Sequence, residues 1–264
     1  MYGSGRGILS LEYMLTDREI QRYSRQIAFI GEENQERLKS AHIVIAGAGG
    51  LGCPVAIYLA VAGMGHITII DCDQVDRTNL NRQILHWERD IGREKTRSAR
   101  DKLLQLNPEI RIDAVTTAIT GKNASTLTKG ATLIIDALDN FTGRYILNRA
   151  ALDHVIPCIH GAVSGYDGHV TTLIPGETVC LQCIFPEPPA GSEFPIIGTT
   201  AGIIGLLQAH EAIKYITGRG ELLKNRLLLW DGRGSTVSYL DLERDPLCRV
   251  CGEFQKREGT GGKG

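Results

Sequence analysis

Apolar residues along this chain come in short blocks separated by polar stretches with helical spacing. Ile43 to Ala46 is one such block and runs into the glycine-rich GAGGLG. Cys53 to Val61 then carries apolar residues in helical register, and Ile67 to Ile70 is a second block, ending on Asp71. EKTRSARDKLLQLNPE has one apolar face and stops before Pro108, because a residue preceding proline is pushed out of the α region. Ile110 to Val115 predicts the next strand, ATLIIDALDN contains another, Tyr145 to Leu152 is a helix, and VIPCIHGAV follows as a strand. Such alternation, with strands that are continuous apolar runs, predicts a mainly parallel sheet buried under helices on both faces.

The pattern changes near Ser164. GYDGHVTTLIPGE alternates and turns like an antiparallel hairpin, and FPEPPAGSEFP is a Pro/Gly-rich connection. TTAGIIGLLQAHEAIKYITGRG is a long helix ending in glycine, and RLLLWDGRGSTVSYLDLE reads as a second hairpin. The expected fold class is therefore α/β: a Rossmann-like, mainly parallel sheet flanked by helices, continuing into an antiparallel C-terminal part. We divide the chain into a flexible extension, 1–16, a single domain, 17–252, and a disordered tail, 253–264. Within the domain we separate 17–163, which carries GAGGLG, a glycine turn between strand and helix of the kind that admits a nucleotide phosphate, and is therefore expected to be the nucleotide-binding part, from a second part, 164–252. Both ends are glycine-rich, and no internal repeat is visible.

Composition narrows the function classes. The chain has 264 residues, 42% hydrophobic and 22% charged, enough for a normal core. With 29 basic and 30 acidic residues the net charge is -1, which gives no reason to expect nucleic acid or an anionic membrane as partner. The N-terminus lacks the apolar core of a signal peptide, and no stretch reaches the ~20 apolar residues of a membrane span. Seven unevenly placed cysteines suit a cytoplasmic protein with metal chemistry better than a disulfide framework.

GAGGLG, between a predicted strand and a predicted helix, is the first candidate site. Gly47 permits the tight turn, Gly49 and Gly50 let a phosphate approach the backbone, and Gly52 lets the helix pack close to the sheet. The helix N-terminus offers unpaired N–H groups to that phosphate. Asp71 ends the second strand, where a carboxylate can accept hydrogen bonds from a ribose hydroxyl; Asp73 stands beside it. This much fits NAD, FAD and ATP alike. The next segment carries Asn79, Arg82, Gln83 and Lys95. A triphosphate carries about four charges and needs side-chain cations and usually Mg²⁺, whereas a dinucleotide is held largely by backbone amides. Arg82 and Lys95 can supply the cations, and Asp139, in DALDN after a strand, can hold the metal. Isolated basic residues usually decorate a solvated surface, and spacing alone leaves that alternative open.

At this point RYSRQI, GAGGLG, DCDQVDRTNLNRQ, GREK, DALDN, QAHEAIK and two Cys-x-x-Cys pairs, in this order, resemble the ThiF/MoeB/HesA family, prokaryotic relatives of the ubiquitin-activating enzymes. The resemblance spans about Asp17 to Gly252. It implies ATP·Mg²⁺ binding and adenylation of the C-terminal glycine carboxylate of a small ubiquitin-like sulfur carrier ending in Gly-Gly, for molybdopterin, thiamine or tRNA sulfur chemistry. It implies that Asp71 holds the ribose, that Asn79, Arg82 and Lys95 grip the triphosphate, and that Asp139 binds Mg²⁺. It also implies that Arg25 reaches the neighbouring subunit's ATP in a homodimer, and that 164–252 binds the carrier. Arg18, Arg22 and Arg25 fall on one helix face with no paired acids, which suits an anion or a partner's acidic patch. Gly202 and Gly205 allow close approach along a helix apolar on more than one face, suited to a dimer interface.

Cys180, Cys183, Cys248 and Cys251 form two Cys-x-x-Cys pairs in turn-rich stretches, which predicts one structural Zn²⁺; a dithiol redox reading fits less well. Cys53, Cys72 and Cys158 are expected to be buried small apolar residues. The resemblance implies that the carrier's own carboxylate attacks the α-phosphorus, so no Ser/His/Asp set is expected. Among the scattered histidines only His160, before GAVSG, stands near a strand end. No cysteine occurs between Cys183 and Cys248, so the protein is expected to stop at the acyl-adenylate and pass it to a separate sulfur donor. The connection containing Pro186, Pro188, Pro189 and Gly191 is then expected to cover the carrier's tail. The alternatives are adenylation of a small-molecule or peptide carboxylate, an NAD-dependent oxidoreductase, and a non-catalytic scaffold.

Overall fold

β1 (His42–Ala46) shows why strands form where they do. From Ile43 onward every residue is buried, and successive side chains serve opposite layers: Ile43 and Ile45 face one apolar cluster, Val44 and Ala46 the other. The computed structural model describes residues 14–188 and 195–252. The expected extension up to Tyr13, the expected tail 253–264, and Pro189, Gly191 and Ser192 of the connection lie outside the described residues.

After β1 come α4 (Gly52–Val61), β2 (His66–Asp71), α5 (Lys95–Leu106), β3 (Arg111–Thr116), the short α6 (Ala124–Thr128), β4 (Leu133–Asp136), α7 (Phe141–His154) and β5 (Cys158–Ser164). Then follow β6 (Asp167–Leu173), α8 (Leu181–Ile184), α9 (Gly198–Thr217), β7 (Arg226–Asp231) and β8 (Thr236–Asp241). Three helices precede β1: α1 (Asp17–Arg22), α2 (Ser24–Ile30) and α3 (Glu32–Ser40).

The strands form one eight-stranded sheet in the order β3-β2-β1-β4-β5-β6-β7-β8. Pairing is parallel from β3 through β5 and antiparallel from β5 through β8. What reads in the sequence as a new hairpin at Gly165 is the turn after β5; that strand is both the last of the parallel set and the first of the antiparallel one. The two parts distinguished in the sequence thus share a sheet. Strand order reverses between β1 and β4, and the crevice outside the carboxyl ends of these strands is where open α/β sheets bind ligands. α9 lies on α4, β5 and β6, so close to α4 that a Cβ on Gly205 would sit 2.6 Å from the Leu51 carbonyl oxygen and from Pro54 Cγ. Gly202 has no atom within 4 Å of such a Cβ, so it plays no part in that approach.

The arginine row is not one helix face. Tyr23 is buried and its hydroxyl accepts a 2.8 Å hydrogen bond from Asn107, which breaks the segment into α1 and α2. Arg18 pairs with Glu109 at 3.4 Å, and Arg22 donates to the Leu106 carbonyl at the end of α5. Those two tie α1 to the end of α5 and the residues after it; all three arginines are exposed, but Arg25 has no hydrogen bond or ion pair to a described residue.

Candidate nucleotide site and cysteine cluster

Two glycines of the loop are required by the turn itself. Gly47 has φ +104, and a Cβ there would lie 2.5 Å from the Ala137 carbonyl oxygen. A Cβ on Gly52 would lie 1.9 Å from the Gly47 oxygen, so its need is the turn's closure more than helix–sheet packing. Gly49 faces only Gln83 Nε2, at 3.7 Å, whereas a Cβ on Gly50 would meet Ala201 Cβ of α9 at 3.2 Å and the Arg82 stem at 3.5 Å. Gly49 leaves open the approach that a phosphate would use, and Gly50 lets α9 pack close to the turn.

Around this turn the structure gathers most of the residues singled out in the sequence. The Asp71 carboxylate accepts the N–H of Ala48, in the loop, and of Asp73, each at 2.8 Å, and each oxygen keeps a lone pair for a ribose hydroxyl. Lys95, largely buried, places Nζ 2.8 Å from Asp73 Oδ2 and holds that carboxyl below its ordinary range. It is therefore no loose surface lysine, but an incoming phosphate would compete with Asp73 for it. Arg82 donates from Nη1 to the Thr78 carbonyl and to Asn81 Oδ1, both at 2.9 Å. Asn79 closes a reciprocal cap with Asp76 in the 3₁₀ turn Arg77–Asn79. Gln83 is buried and its Oε1 has no hydrogen-bond partner. Asp139 is exposed in the loop after β4, the loop whose Ala137 touches the glycine turn.

A residue the sequence reading passed over is His86. It is buried beneath the loop with Nε2 2.9 Å from the Ala48 carbonyl oxygen and Nδ1 3.0 Å from Ser98 Oγ. Burial, then the nearby Lys102 and Lys95, pushes it below its ordinary range even though the Ala48 contact favours the charged form, so it is a neutral brace. Its only sequence signal is a histidine between Leu85 and Trp87 in a polar segment. Below it Asp90 and Lys102 form a buried ion pair, extended by Arg93 at 3.0 Å and the Trp87 N–H at 2.9 Å. Cys53 and Cys158 are buried as expected, but Cys72 is exposed, because β2 ends one residue before it.

The four paired cysteines meet. Sγ–Sγ distances are 3.8 Å for Cys180–Cys183, 3.7 Å for Cys180–Cys248 and 3.4 Å for Cys183–Cys251, and all four lie within 4.8 Å of one another. Tetrahedral zinc with Zn–S of about 2.3 Å requires S···S edges of about 3.8 Å. The cluster therefore fits a structural zinc site, with no position left open. Burial and its thiol neighbours push Cys180 up to about 12 and Cys251 higher still. Burial opposes ionisation of Cys248 too, but the N–H groups of Cys251 and Val250 hold that thiol below its ordinary value. Four thiolates this close need a cation. Among the described residues no helix is long and apolar enough to cross a membrane.

The chain is 38% identical over 243 residues to the SAMP-activating enzyme E1 of Haloferax volcanii, spanning 89% of this chain and 90% of that protein. It is 38% identical over 251 residues to the sulfur carrier protein adenylyltransferase of Thermus thermophilus, covering 90% and 93%. It is also 41% identical over 248 residues to the adenylyltransferase and sulfurtransferase MOCS3 of Culex quinquefasciatus, but spans only 57% of that longer protein. Among solved structures, E. coli MccB with ATP superposes with a TM-score of 0.79 at 26% identity, covering 92% of this chain and 77% of that one. The microcin C7 biosynthetic enzyme MccB in complex with N-formylated MccA gives a TM-score of 0.80 at 25% identity, with the same coverage. The ThiF family model matches residues 23–250, so the chain belongs to the ThiF family of adenylyltransferases.

Proposed function

We propose that this chain uses ATP and Mg²⁺ to convert the C-terminal glycine carboxylate of a small ubiquitin-like sulfur-carrier protein into an acyl-adenylate, releasing pyrophosphate, and passes it to a separate sulfur donor without forming a thioester on itself. The observation that carries the reading is the convergence of Arg82, the Lys95–Asp73 pair, Asp71 and the Asp139 loop on one glycine turn. Two relatives that match this chain along nine-tenths of their length are named for activating such carriers. The oxidoreductase alternative falls with the family.

The reaction joins one carboxylate oxygen of the carrier to the α-phosphorus and breaks the bond to the β-phosphate. Neither nucleophile nor leaving group needs a proton at neutral pH, so the protein's task is alignment and charge neutralisation. Asp71 fixes the ribose, Gly49 admits the phosphates, Asn79 and Gln83 bond the phosphate oxygens, and Arg82 and Lys95 offset the growing negative charge. Mg²⁺, carried by Asp139, would supply the remaining charge stabilisation. Arg25, exposed and unpaired, would act on the ATP of a second copy in a homodimer. Exposed Phe29, Tyr58, Val61 and Leu206 on α2, α4 and α9 offer apolar surface for that contact.

Absence of a self-thioester rests on the cysteines. The connection after α8 has none. Burial pushes Cys53 up to about 12 and Cys158 well above its ordinary value. Cys72 is exposed but its thiol is raised by burial and by Asp73. The remaining four would hold the structural zinc. We place the protein in the cytoplasm, where such thiols stay reduced. A different acceptor, a small-molecule or peptide carboxylate, draws support from the fold likeness to MccB.

The deciding experiment is ATP–pyrophosphate exchange with candidate carriers from the same genome, each with and without its final Gly-Gly. Carrier-dependent exchange lost with the glycines is expected; exchange indifferent to them favours the other acceptor. A thiol-sensitive protein–carrier adduct on a gel run without reductant would show that one of these cysteines is a nucleophile.

A further inference from the structure

A chain of three side chains runs from the buried end of β4 to the half-buried His169 on β6. Asp136, the last residue of β4, stands opposite His160 on β5, and its Oδ2 lies 2.7 Å from His160 Nδ1. His160 Nε2 lies 3.2 Å from His169 Nε2, on β6. Asp136 and His160 are sealed, at 2% and 0% exposure. The Asp136 carboxylate also faces Arg144 Nε at 3.9 Å and accepts the Leu138 N–H at 3.2 Å.

Hydrogen-bond chemistry fixes the protons along this chain. The carboxylate accepts, so His160 carries its proton on Nδ1. Burial pushes His160 below its ordinary range despite the favourable Asp136 contact, so the ring is neutral and its Nε2 holds a lone pair. The single proton between the two rings therefore belongs to His169 Nε2, and His169 Nδ1 is left as an acceptor. That atom has no hydrogen-bond partner among the described residues. It is not one of the sealed, unpartnered side-chain atoms either; among the described residues those are Gln83 Oε1 and Gln208 Oε1. His169 Nδ1 is open to whatever binds there.

Its surroundings define the ligand. The Phe185 ring packs against both imidazoles, with centroids 5.5 Å from His169 and 5.9 Å from His160, and Phe141 packs on Phe185 at 5.4 Å. Phe185 is held by Tyr145, whose hydroxyl donates to its carbonyl at 2.9 Å, and it immediately precedes the connection after α8. That connection returns at Pro195, whose carbonyl accepts the Gly165 N–H at 2.6 Å in the turn before β6. His169 lies between these two anchors, on the strand beside β5, near the carboxyl end of β4. An uncharged acceptor on a flat aromatic wall, with Arg144 close by to repel cations, suits an uncharged donor on a slim chain. It does not suit proton abstraction: burial and then His160 and Arg144 press His169 down to about 3, too weak a base for a thiol at neutral pH.

We propose that His169 Nδ1 accepts a main-chain N–H of the carrier's extended glycine tail, and that His160 and Asp136 are positioning residues that hold His169 in the accepting tautomer. This rests on the carrier reading above. Because Asp136 also binds the Leu138 N–H, the same carboxylate steadies the loop that carries Asp139 toward the nucleotide.

The test is pyrophosphate exchange at varied carrier and varied ATP. His169→Phe is expected to raise the carrier KM about fivefold to tenfold, the worth of one neutral hydrogen bond, while kcat and the ATP KM stay within about twofold. His169→Gln, whose amide can donate to His160 and accept from the tail, is expected to recover most of the loss. A carrier with sarcosine in place of one terminal glycine lacks that N–H; it should lose as much with the wild-type protein and nothing further with His169→Phe. An unchanged carrier KM in a folded His169→Phe protein, or an equal rise in ATP KM, overturns the assignment. If His169→Phe does not fold, the sarcosine series on the wild-type protein decides: no sensitive position refutes it. Failure of the carrier reading itself would appear earlier, as no carrier-dependent exchange by the wild-type protein.

Discussion

Gly49 and Gly52 stand three residues apart in one loop, and alanine should expose two different needs. At Gly52 a Cβ would meet the Gly47 backbone oxygen at 1.9 Å, and ordinary contact begins at 3.4 Å. The turn would have to open by about 1.5 Å, through backbone that cannot swing aside as a side chain can. Such a lesion belongs with the severe single-site losses, about 3 kcal/mol or more, or roughly a 10 °C fall in Tm. At Gly49 the nearest atom is a side-chain amide at 3.7 Å, and φ lies outside the left-handed region. Alanine there removes unfolded-state freedom at no steric cost, and stability should hold or rise by up to about 1 kcal/mol. Its methyl group would nevertheless occupy the space through which the proposed phosphate approaches. Thermal unfolding and calorimetric titration with ATP separate the outcomes: Gly52→Ala loses both stability and binding, and Gly49→Ala loses binding alone. A Gly52→Ala protein with wild-type Tm and ATP affinity, or a Gly49→Ala protein that binds ATP normally, would refute the reasoning.

Asp139→Ala should abolish Mg²⁺-dependent pyrophosphate exchange with Tm unchanged, since the residue is exposed; near-normal exchange would remove the metal assignment. Mixing inactive Arg25→Ala with inactive Asp71→Ala protein should restore partial activity through mixed dimers with one intact site, and no rescue despite measured subunit exchange would place Arg25's action elsewhere. Elemental analysis of protein purified without chelator should find one zinc per chain, and stripping it should lower the stability of the C-terminal region before ATP binding; a zinc-free preparation with wild-type stability would count against the site. For Asp90, burial raises the carboxyl but Lys102, the Trp87 N–H and Arg93 outweigh it, leaving about 2 against an ordinary 3.8. A depressed carboxyl stabilises above its unfolded pKa and loses that contribution as pH falls toward the folded one. The stability gap between wild type and Asp90→Asn should thus shrink from pH 6 to pH 3 in urea titrations, and a constant gap would contradict this.

Elements whose signals are local were legible in the sequence. β1 is an unbroken apolar run, α5 stops before Pro108, and α9 ends on Gly218 at φ +64. That Asp71 and Asp139 lie near the glycine turn was legible because each follows a strand at short range. What escaped depends on partners far along the chain. Tyr23 breaks a helix because Asn107 waits for its hydroxyl, and Arg18 and Arg22 are spent on the far end of α5. His86 matters only because Ala48 lies above it, and His169 only because β6 runs back beside β5. A histidine in a polar segment looks the same whether it faces water or a loop.

β5 is stitched to β4 on one edge and to β6 along its full length on the other. A hinge needs a few residues free to absorb a change in φ and ψ between two separately packed bodies. Here the backbone ladder crosses without a break from β1 and β4, beside the glycine turn, to the antiparallel strands. The sheet is accordingly a stiff plate, without a hinge between its parallel and antiparallel parts. The same stitching governs dissection. A chain cut between 163 and 164 would yield two fragments, each with a bare, hydrogen-bond-hungry edge, and these would aggregate or re-pair with each other before either worked alone.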